Sequence, residues 1–468
     1  MNIHRAQASV KLLSLFAFII FAAALARADA VDDRVKAIMA ERHIPGAAVA
    51  VVKNGQVVRI KGYGAASLEF GVPVTTDTVF EIGSVSKQMT AAGIMLLVQD
   101  GKVDLDEGIS KYLPNTPEAW KDVKVRHLMT HTSGIKSYSS LEGFELAQRM
   151  TIDDFIKKLS PHPLEFTPGE KNIYSNSGFN LLAYIIETQS GKKYIDFMRE
   201  RIFIPLGMTR TFDRDPKNII RLRASGYEWS DGQHSGRDGS LTDLMGAGSI
   251  VSTIEDMTKW EAALRGDKFL NPESKKQIWT QFTFNNGKMS PYGLGWRIGD
   301  VREHKLISHS GQTAGFGAAI HRYVGDDVTV IALTNLGEVG MGTLIASDIA
   351  KQYIPKMSLK AVNTRVSVDD ALARNIEAAL RGRFDSTVDE SVFTSSLSRS
   401  LGTQRAKDLS SRLKSYAPLK LVRVVKRESV DGKDTLNVIA ETPRKFFLWR
   451  VVVDESGKIA ELNLDEEE

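Results

Sequence analysis

Hydrophobic and polar positions change their rhythm several times along this chain. From Val31 to Arg42 apolar residues recur at helical spacing, which predicts a helix. Two short apolar runs follow, Ala47 to Val52 and Val57 to Ile60, parted by Asn54-Gly55. That turn pair is suited to positive φ, so the stretch predicts a tight hairpin. A long apolar run then opens after Gly83-Ser84 and carries Met89, Ile94, Met95, Leu96, Leu97 and Val98. Another extends from Phe179 to Ile186, behind the breaker Thr167-Pro168-Gly169-Glu170. Both predict helices, the first beginning near Ser84. Further on, Gly315 to Ile320, Gly325-Asp326-Asp327 and Val328 to Leu333 predict an antiparallel hairpin. Strands from both ends of a domain meeting in one sheet, with helices between, describe an α+β fold.

Past Pro355 the character changes. Val368 to Leu380 predicts a helix, and a polar, serine-rich stretch carries on to Ser415. Four strand-like runs close the chain: Leu419 to Val425, Thr435 to Ala440, Phe446 to Val453 and Ile459 to Leu464, with Asp431-Gly432 and Ser456-Gly457 as turns. The expectation is a main domain over 29–357 and a small C-terminal α+β module with a meandering sheet over 358–468.

Composition narrows the picture. At 468 residues, with 42% hydrophobic and 25% charged positions, the chain can bury a large core. A net charge of +4 is small for this length and implies no nucleic-acid partner. Basic residues gathered from Arg405 to Arg427 and the ending Asp465-Glu466-Glu467-Glu468 read as a solvated face and a polar tail. There is no cysteine, so disulfides and thiol chemistry are excluded. At the start, His4, Arg5 and Lys11 precede the apolar run Leu12 to Leu25 and the small-x-small triplet Ala26-Arg27-Ala28. This predicts a signal peptide over 1–28 and a periplasmic or secreted protein with no transmembrane span in the mature chain. The weaker alternative is an uncleaved N-terminus anchored in the inner membrane.

Candidate chemistry begins at Ser84-Val85-Ser86-Lys87. A serine at a helix N-terminus sits among unpaired N–H groups at the positive end of the dipole. A lysine one turn on shares its face and can take the serine's proton. Ser-x-x-Lys also occurs at Ser133–Lys136, Ser190–Lys193 and Ser411–Lys414, where an N-capping serine is the simpler reading. Tyr174-Ser175-Asn176, the sole Tyr-x-Asn, can aim a phenol and an amide at one pocket. His309-Ser310-Gly311 leads into the predicted hairpin, where a strand edge with small residues lets a substrate backbone approach. The same tripeptide at His234-Ser235-Gly236 lies in Ser230 to Gly239, a polar, glycine-rich stretch that reads as loop. His127 and His131 are four residues apart without the acidic partner of a zinc helix, so local hydrogen bonding is expected and no metal. No cofactor loop is evident. Trp260, Trp279, Trp296 and Trp449 read as core or pocket walls.

Ser-x-x-Lys, Tyr-x-Asn and a basic-x-Gly strand, in that order, resemble the penicillin-recognising serine hydrolases, above all class C β-lactamases and the D-Ala-D-Ala carboxypeptidase and D-aminopeptidase group, peptidase family S12. His127-Leu128-Met129-Thr130-His131-Thr132-Ser133-Gly134-Ile135, Gly246 to Thr253 and Tyr292-Gly293-Leu294-Gly295-Trp296 are similar to further segments of that family, and the likeness covers Val31 to Tyr353. It implies a β-lactamase/transpeptidase-like fold, with an antiparallel sheet flanked by helices plus a helical subdomain. It also implies acyl transfer to Ser84, with Lys87 assisting and lowering the pKa of Tyr174. Tyr174 would then shuttle protons, and Asn176 would hold the acyl chain. By the same resemblance the oxyanion hole uses the N–H groups of Ser84 and Gln312, His309 and Gly311 shape leaving-group or carboxylate recognition, and Trp296 is the best pocket candidate among the tryptophans. β-Lactamases of this type carry lysine where His309 stands, and by the resemblance a histidine there points toward esterase or aminopeptidase activity and away from efficient penicillin hydrolysis. The family as a whole implies an esterase, a D-aminopeptidase or a D,D-peptidase. Expected partners are small-molecule, peptide or ester substrates, including peptidoglycan fragments. The rival reading is a non-catalytic peptidoglycan- or β-lactam-binding protein of the same fold.

Overall fold

The computed structural model describes residues 30–142, 150–215, 217–239, 245–385, 387, 389–430 and 433–468. The expected signal peptide and the Asp431-Gly432 turn lie outside the described residues. Contacts divide the chain into two compact units, one ending at Tyr353 and the other starting at Ile354.

In the first unit, β1 (Gly46–Lys53) and β2 (Gln56–Ser67) pair antiparallel. Asn54 and Gly55 turn between them at φ of 51° and 73°, the positive pair that this tight hairpin needs. After β3 (Val72–Pro73) come β4 (Val79–Glu81), β5 (Phe212–Asp213), β6 (Tyr227–Ser230), β7 (Gln233–Gly236) and β8 (Ile250–Thr253). The last strands of this unit are β9 (Arg297–Val301), β10 (His304–Thr313), β11 (Phe316–Tyr323) and β12 (Val328–Thr334). One seven-stranded antiparallel sheet runs in the order β3-β2-β1-β12-β11-β10-β9. Strands from both ends of the unit therefore meet at β1 and β12, as the patterning predicts. Both central strands read as unbroken β-branched and small apolar runs because helices cover both faces, leaving nearly every residue of β1, β11 and β12 buried. A small sheet in the order β4-β8-β5 is separate from it, and β6 pairs with β7 in a two-stranded ribbon, with one isolated bridge from Tyr227 to Leu336.

The Ser86–Gln99 helix is buried from Ser86 to Leu97 and packs with the Asn176–Ser190 helix in one core. Polar residues inside such a helix must find partners within the protein. The helix begins near Ser84 as read, through a 3₁₀ turn over Gly83–Val85 that passes into the α-helix at Ser86. One expectation needs correcting here. His234-Ser235-Gly236 is not a loop but β7, held by pairing with β6.

The second unit is the expected meander: β13 (Leu421–Val430), β14 (Lys433–Glu441), β15 (Phe446–Val453) and β16 (Ile459–Glu467), each paired antiparallel to the next. The Asp370–Asp385 helix contributes Ile376, Leu380 and Phe384 to a core with Phe447 and Trp449. The serine-rich stretch holds two helices missed from sequence, Ser395–Leu401 and Gln404–Lys414. Both follow a threonine, and the Thr394 hydroxyl accepts the Leu397 N–H, but few apolar residues mark their faces.

Candidate active site

Ser84 leaves β4 on the turn that feeds the buried helix, and Lys87 stands one turn on. The Lys87 amine is fully buried and has three oxygen neighbours: Ser84 Oγ at 3.0 Å, Asn176 Oδ1 at 2.8 Å and the Ala247 carbonyl at 2.6 Å. Burial pushes its pKa well below the usual lysine value, because no carboxylate stands there to compensate a desolvated ammonium. A neutral amine has two N–H donors and one lone pair. Asn176 Oδ1 and the Ala247 carbonyl can only accept, so they take the donors. In its neutral form the amine would then turn its lone pair to the Ser84 hydroxyl, 3.0 Å away. That is the geometry of a general base on a nucleophile. The rings of Tyr174 and Phe179 lie 4.8 and 5.5 Å from the amine.

Asn176 opens its helix and Tyr174 precedes it in extended chain. The Tyr174 hydroxyl is hydrogen-bonded to Ser84. Its pKa is raised, chiefly by burial and in spite of the bonds to Ser84 and the charge of Arg297. The expected lowering by Lys87 is thus reversed: desolvation disfavours the charged form of both groups, pushing the amine's pKa down and the phenol's up. His131 packs on Tyr174 with ring centroids 4.2 Å apart and on Tyr292 at 4.7 Å. Its Nδ1 accepts the Ser175 N–H at 3.1 Å, which fixes the Tyr174-Ser175-Asn176 corner.

β10 forms the far wall. β9 pairs with it only from His304 to Ser308, so His309 to Gln312 present an open edge beside Ser84. A β-carbon on Gly311 would come within 2.0 Å of the Ile82 carbonyl and 2.9 Å of the Ser84 nitrogen. One on Gly83 would meet the Gln312 nitrogen at 2.7 Å. Backbone thus lies against backbone with no side chain between, and only glycine permits that approach. The resulting cleft, about 260 Å³, is lined by Ser84, Tyr174, Arg297, His309, Gln312 and Val339 among others.

His309 is 2% exposed, and both ring nitrogens are engaged. Nδ1 donates to the Ser310 carbonyl at 2.7 Å, so Nε2 accepts from the Tyr292 hydroxyl. Burial lowers its pKa to about 3, so the ring is neutral near pH 7. The cation facing the cleft is Arg297, exposed and without an ion-pair partner among the described residues. Sequence reading passed over Arg297 and gave Tyr292 and Ala247 no individual role, because nothing in a linear motif marks an arginine twelve positions upstream of His309 or the use of a backbone carbonyl. Trp296, expected at the pocket, is buried in the core instead. The other Ser-x-x-Lys serines serve local structure: Ser133 and Ser190 accept N–H groups two residues on, and Ser411 donates to the Lys407 carbonyl. His127 accepts the Lys124 N–H, and no group of three or more His, Asp or Glu among the described residues is placed to hold a metal.

The family model described as Beta-lactamase matches residues 31–350, the stretch that carries all of these side chains. The chain belongs to the β-lactamase family. This family member is 31% identical over 322 residues to penicillin-binding protein 4* of Bacillus subtilis (strain 168), covering 64% of this chain and 70% of that one. It is 27% identical over 350 residues to protein flp of Staphylococcus aureus (strain N315), covering 72% and 66%. Among solved structures, D-amino acid amidase from Ochrobactrum anthropi SV3 aligns with a TM-score of 0.59 at 25% identity, over 70% of this chain and 98% of that one. The octameric penicillin-binding protein homologue from Pyrococcus abyssi aligns with a TM-score of 0.60 at 20% identity, over 91% and 95%. A share of 91% exceeds what residues 31–350 supply, so the likeness in fold reaches into the second unit.

Proposed function

We propose that this β-lactamase-family protein is an exported serine hydrolase that cleaves amide or ester bonds through an acyl-enzyme on Ser84. The observation that carries the reading is the Ser84–Lys87 contact, with the buried amine's two donors already taken by Asn176 and Ala247. Ser84 Oγ attacks the substrate carbonyl carbon while its proton passes to Lys87 Nζ. The carbonyl oxygen becomes an oxyanion received by the Ser84 and Gln312 N–H groups. Tyr174, a protonated phenol, gives its proton to the departing amine or alkoxide and regains one from Lys87. Water, deprotonated along the same relay, then attacks the ester carbon, and Ser84 recovers its proton as the acid product leaves. Asn176 orients both Lys87 and the acyl chain.

Neutral His309 supplies no charge to a substrate carboxylate, so Arg297 takes that role for substrates that carry one. A likeness to D-amino acid amidase supports D-amino acid amides and peptides as the first substrates to try. The N-terminal pattern over 1–28 supports export. Among the described residues no helix is long and apolar enough to cross a membrane.

The test is hydrolysis of p-nitrophenyl acetate and of D- and L-amino acid p-nitroanilides by the mature protein beside Ser84→Ala, with folding checked by circular dichroism. Turnover lost in the variant supports the reading; equal rates in the two proteins would refute it. Because Lys87 must be neutral to act, activity should rise with pH along an acid limb whose midpoint lies well below the ordinary lysine value.

A further inference from the structure

Five residues outside the reacting groups form a network behind the serine turn: Glu81, Arg214, Arg223, Asp238 and Thr313. Glu81 ends β4, three positions before Ser84, and is 1% exposed. Its Oε2 accepts the Thr313 hydroxyl at 2.7 Å, and its Oε1 accepts Arg214 Nε at 3.1 Å and Arg223 Nη1 at 3.5 Å. Both arginines also donate to Asp238, at 3.1 and 2.6 Å, so two cations and two carboxylates close a balanced network. Thr313 is the last residue of β10, directly after Gln312. A strand end beside Phe316 and the core would accept valine sterically, so the hydroxyl is there for Glu81.

We infer that the Glu81–Thr313 hydrogen bond is a positioning clamp that sets the spacing of the two oxyanion-hole amides. The inference rests on the acyl-transfer reading above and concerns the same site. The bond joins the two backbone segments just outside the points where Gly83 and Gly311 let them touch. Between those points no side chain holds the segments apart or together, so their spacing is set from the flanks. One flank is Glu81–Thr313. The other tie is the Gln312 side chain, whose Nε2 donates to the Gly337 carbonyl at 2.6 Å and fixes the outer face of the same residue. Glu81 itself does not line the cleft; burial raises its pKa, and the Thr313 hydrogen bond and the charges of Arg214 and Arg223 oppose that only in part.

An oxyanion hole acts only if both N–H groups sit within hydrogen-bond range of one oxygen, so a shift of a few tenths of an ångström weakens transition-state binding more than substrate binding. Thr313→Val keeps the shape and removes the hydroxyl; Thr313→Ser keeps the hydroxyl. In the full-length mature protein, Thr313→Val should lower kcat about tenfold or more with KM unchanged within about twofold. It should weaken phenylboronic acid, whose tetrahedral adduct occupies the hole, by a similar factor, and Thr313→Ser should restore both. Hydrogen exchange read by mass spectrometry should quicken in the peptides spanning 82–85 and 311–313 in the valine variant alone. A valine variant with native kcat, boronate affinity and exchange would overturn the clamp, as would a loss tracking only the fraction unfolded or shared by the serine variant. If the wild type itself shows no Ser84-dependent turnover, the acyl-transfer reading fails, while the exchange comparison still decides whether the clamp exists.

Discussion

The chain spells His-Ser-Gly twice, and the two copies sit in unlike surroundings. At His309-Ser310-Gly311 the histidine is buried with both nitrogens engaged, and the glycine lies against the backbone of Ile82 and Ser84. At His234-Ser235-Gly236 the histidine packs edge-on against Trp229 at 4.6 Å and bonds to the His43 carbonyl, and a β-carbon on the glycine would meet nothing within 4 Å. Both are in strands. The tripeptide therefore encodes no site. What sets the second copy in chain order apart is the serine-bearing turn that the fold brings up against it.

The sharpest way to break this contrast is a matched pair of glycine substitutions. Gly311→Ala should lower kcat/KM for p-nitrophenyl acetate by about 100-fold or more, since a β-carbon there would displace an oxyanion-hole amide. Gly236→Ala should leave it within about twofold, there being open space around that position. Similar losses in both variants, or in neither, would erase the distinction. A smaller effect comes from Arg297, which carries the charge that His309 lacks. Arg297→Gln should raise KM about tenfold for substrates ending in a free carboxylate and leave neutral esters alone, consistent with the loss of one charge-assisted contact; equal effects on both substrate types would remove Arg297 from recognition. Smallest is a stability effect. His309 has its folded-state pKa lowered to about 3 from 6.5. Below pH 6.5 the unfolded chain binds a proton that the folded chain refuses, so stability is full above 6.5 and falls as the pH drops toward 3. The slope per such histidine is about 1.4 kcal/mol per pH unit. His309→Gln should flatten the fall seen by urea titration between pH 6 and 4, and an unchanged slope would show that the ring is not held neutral.

Much of the fold could be read from rhythm. The Asn54-Gly55 hairpin, the β11–β12 hairpin and the terminal meander have strong local signals, and the joining of β1 with β12 follows from the two matched apolar runs. The helices over 395–414 could not be read, since Gln404–Lys414 places only Leu413 fully inside and is otherwise polar. At the site, Ser84, Lys87, Tyr174 and Asn176 are brought together where the linear motifs place them in order, and Gly311 and Gln312 abut the serine turn. Protonation was misread for a physical reason. A sequence shows that a lysine neighbours a tyrosine but not that both are desolvated, and desolvation moves the two pKa values away from the charged pair. Arg297 escaped for a related reason: it stands at the cleft without an ion-pair partner among the described residues, which no sequence pattern displays.

The central claim is that Ser84 is the nucleophile and neutral Lys87 its base. It is tested most directly by treating the mature protein with a fluorophosphonate probe and locating the adduct by intact and peptide mass spectrometry. The account predicts one adduct, on Ser84, formed rapidly in the wild type, slowed about 100-fold or more in Lys87→Met, and absent from Ser84→Ala. Labelling of Ser84→Ala at the wild-type rate, or a folded wild-type protein that takes up no label, would contradict it.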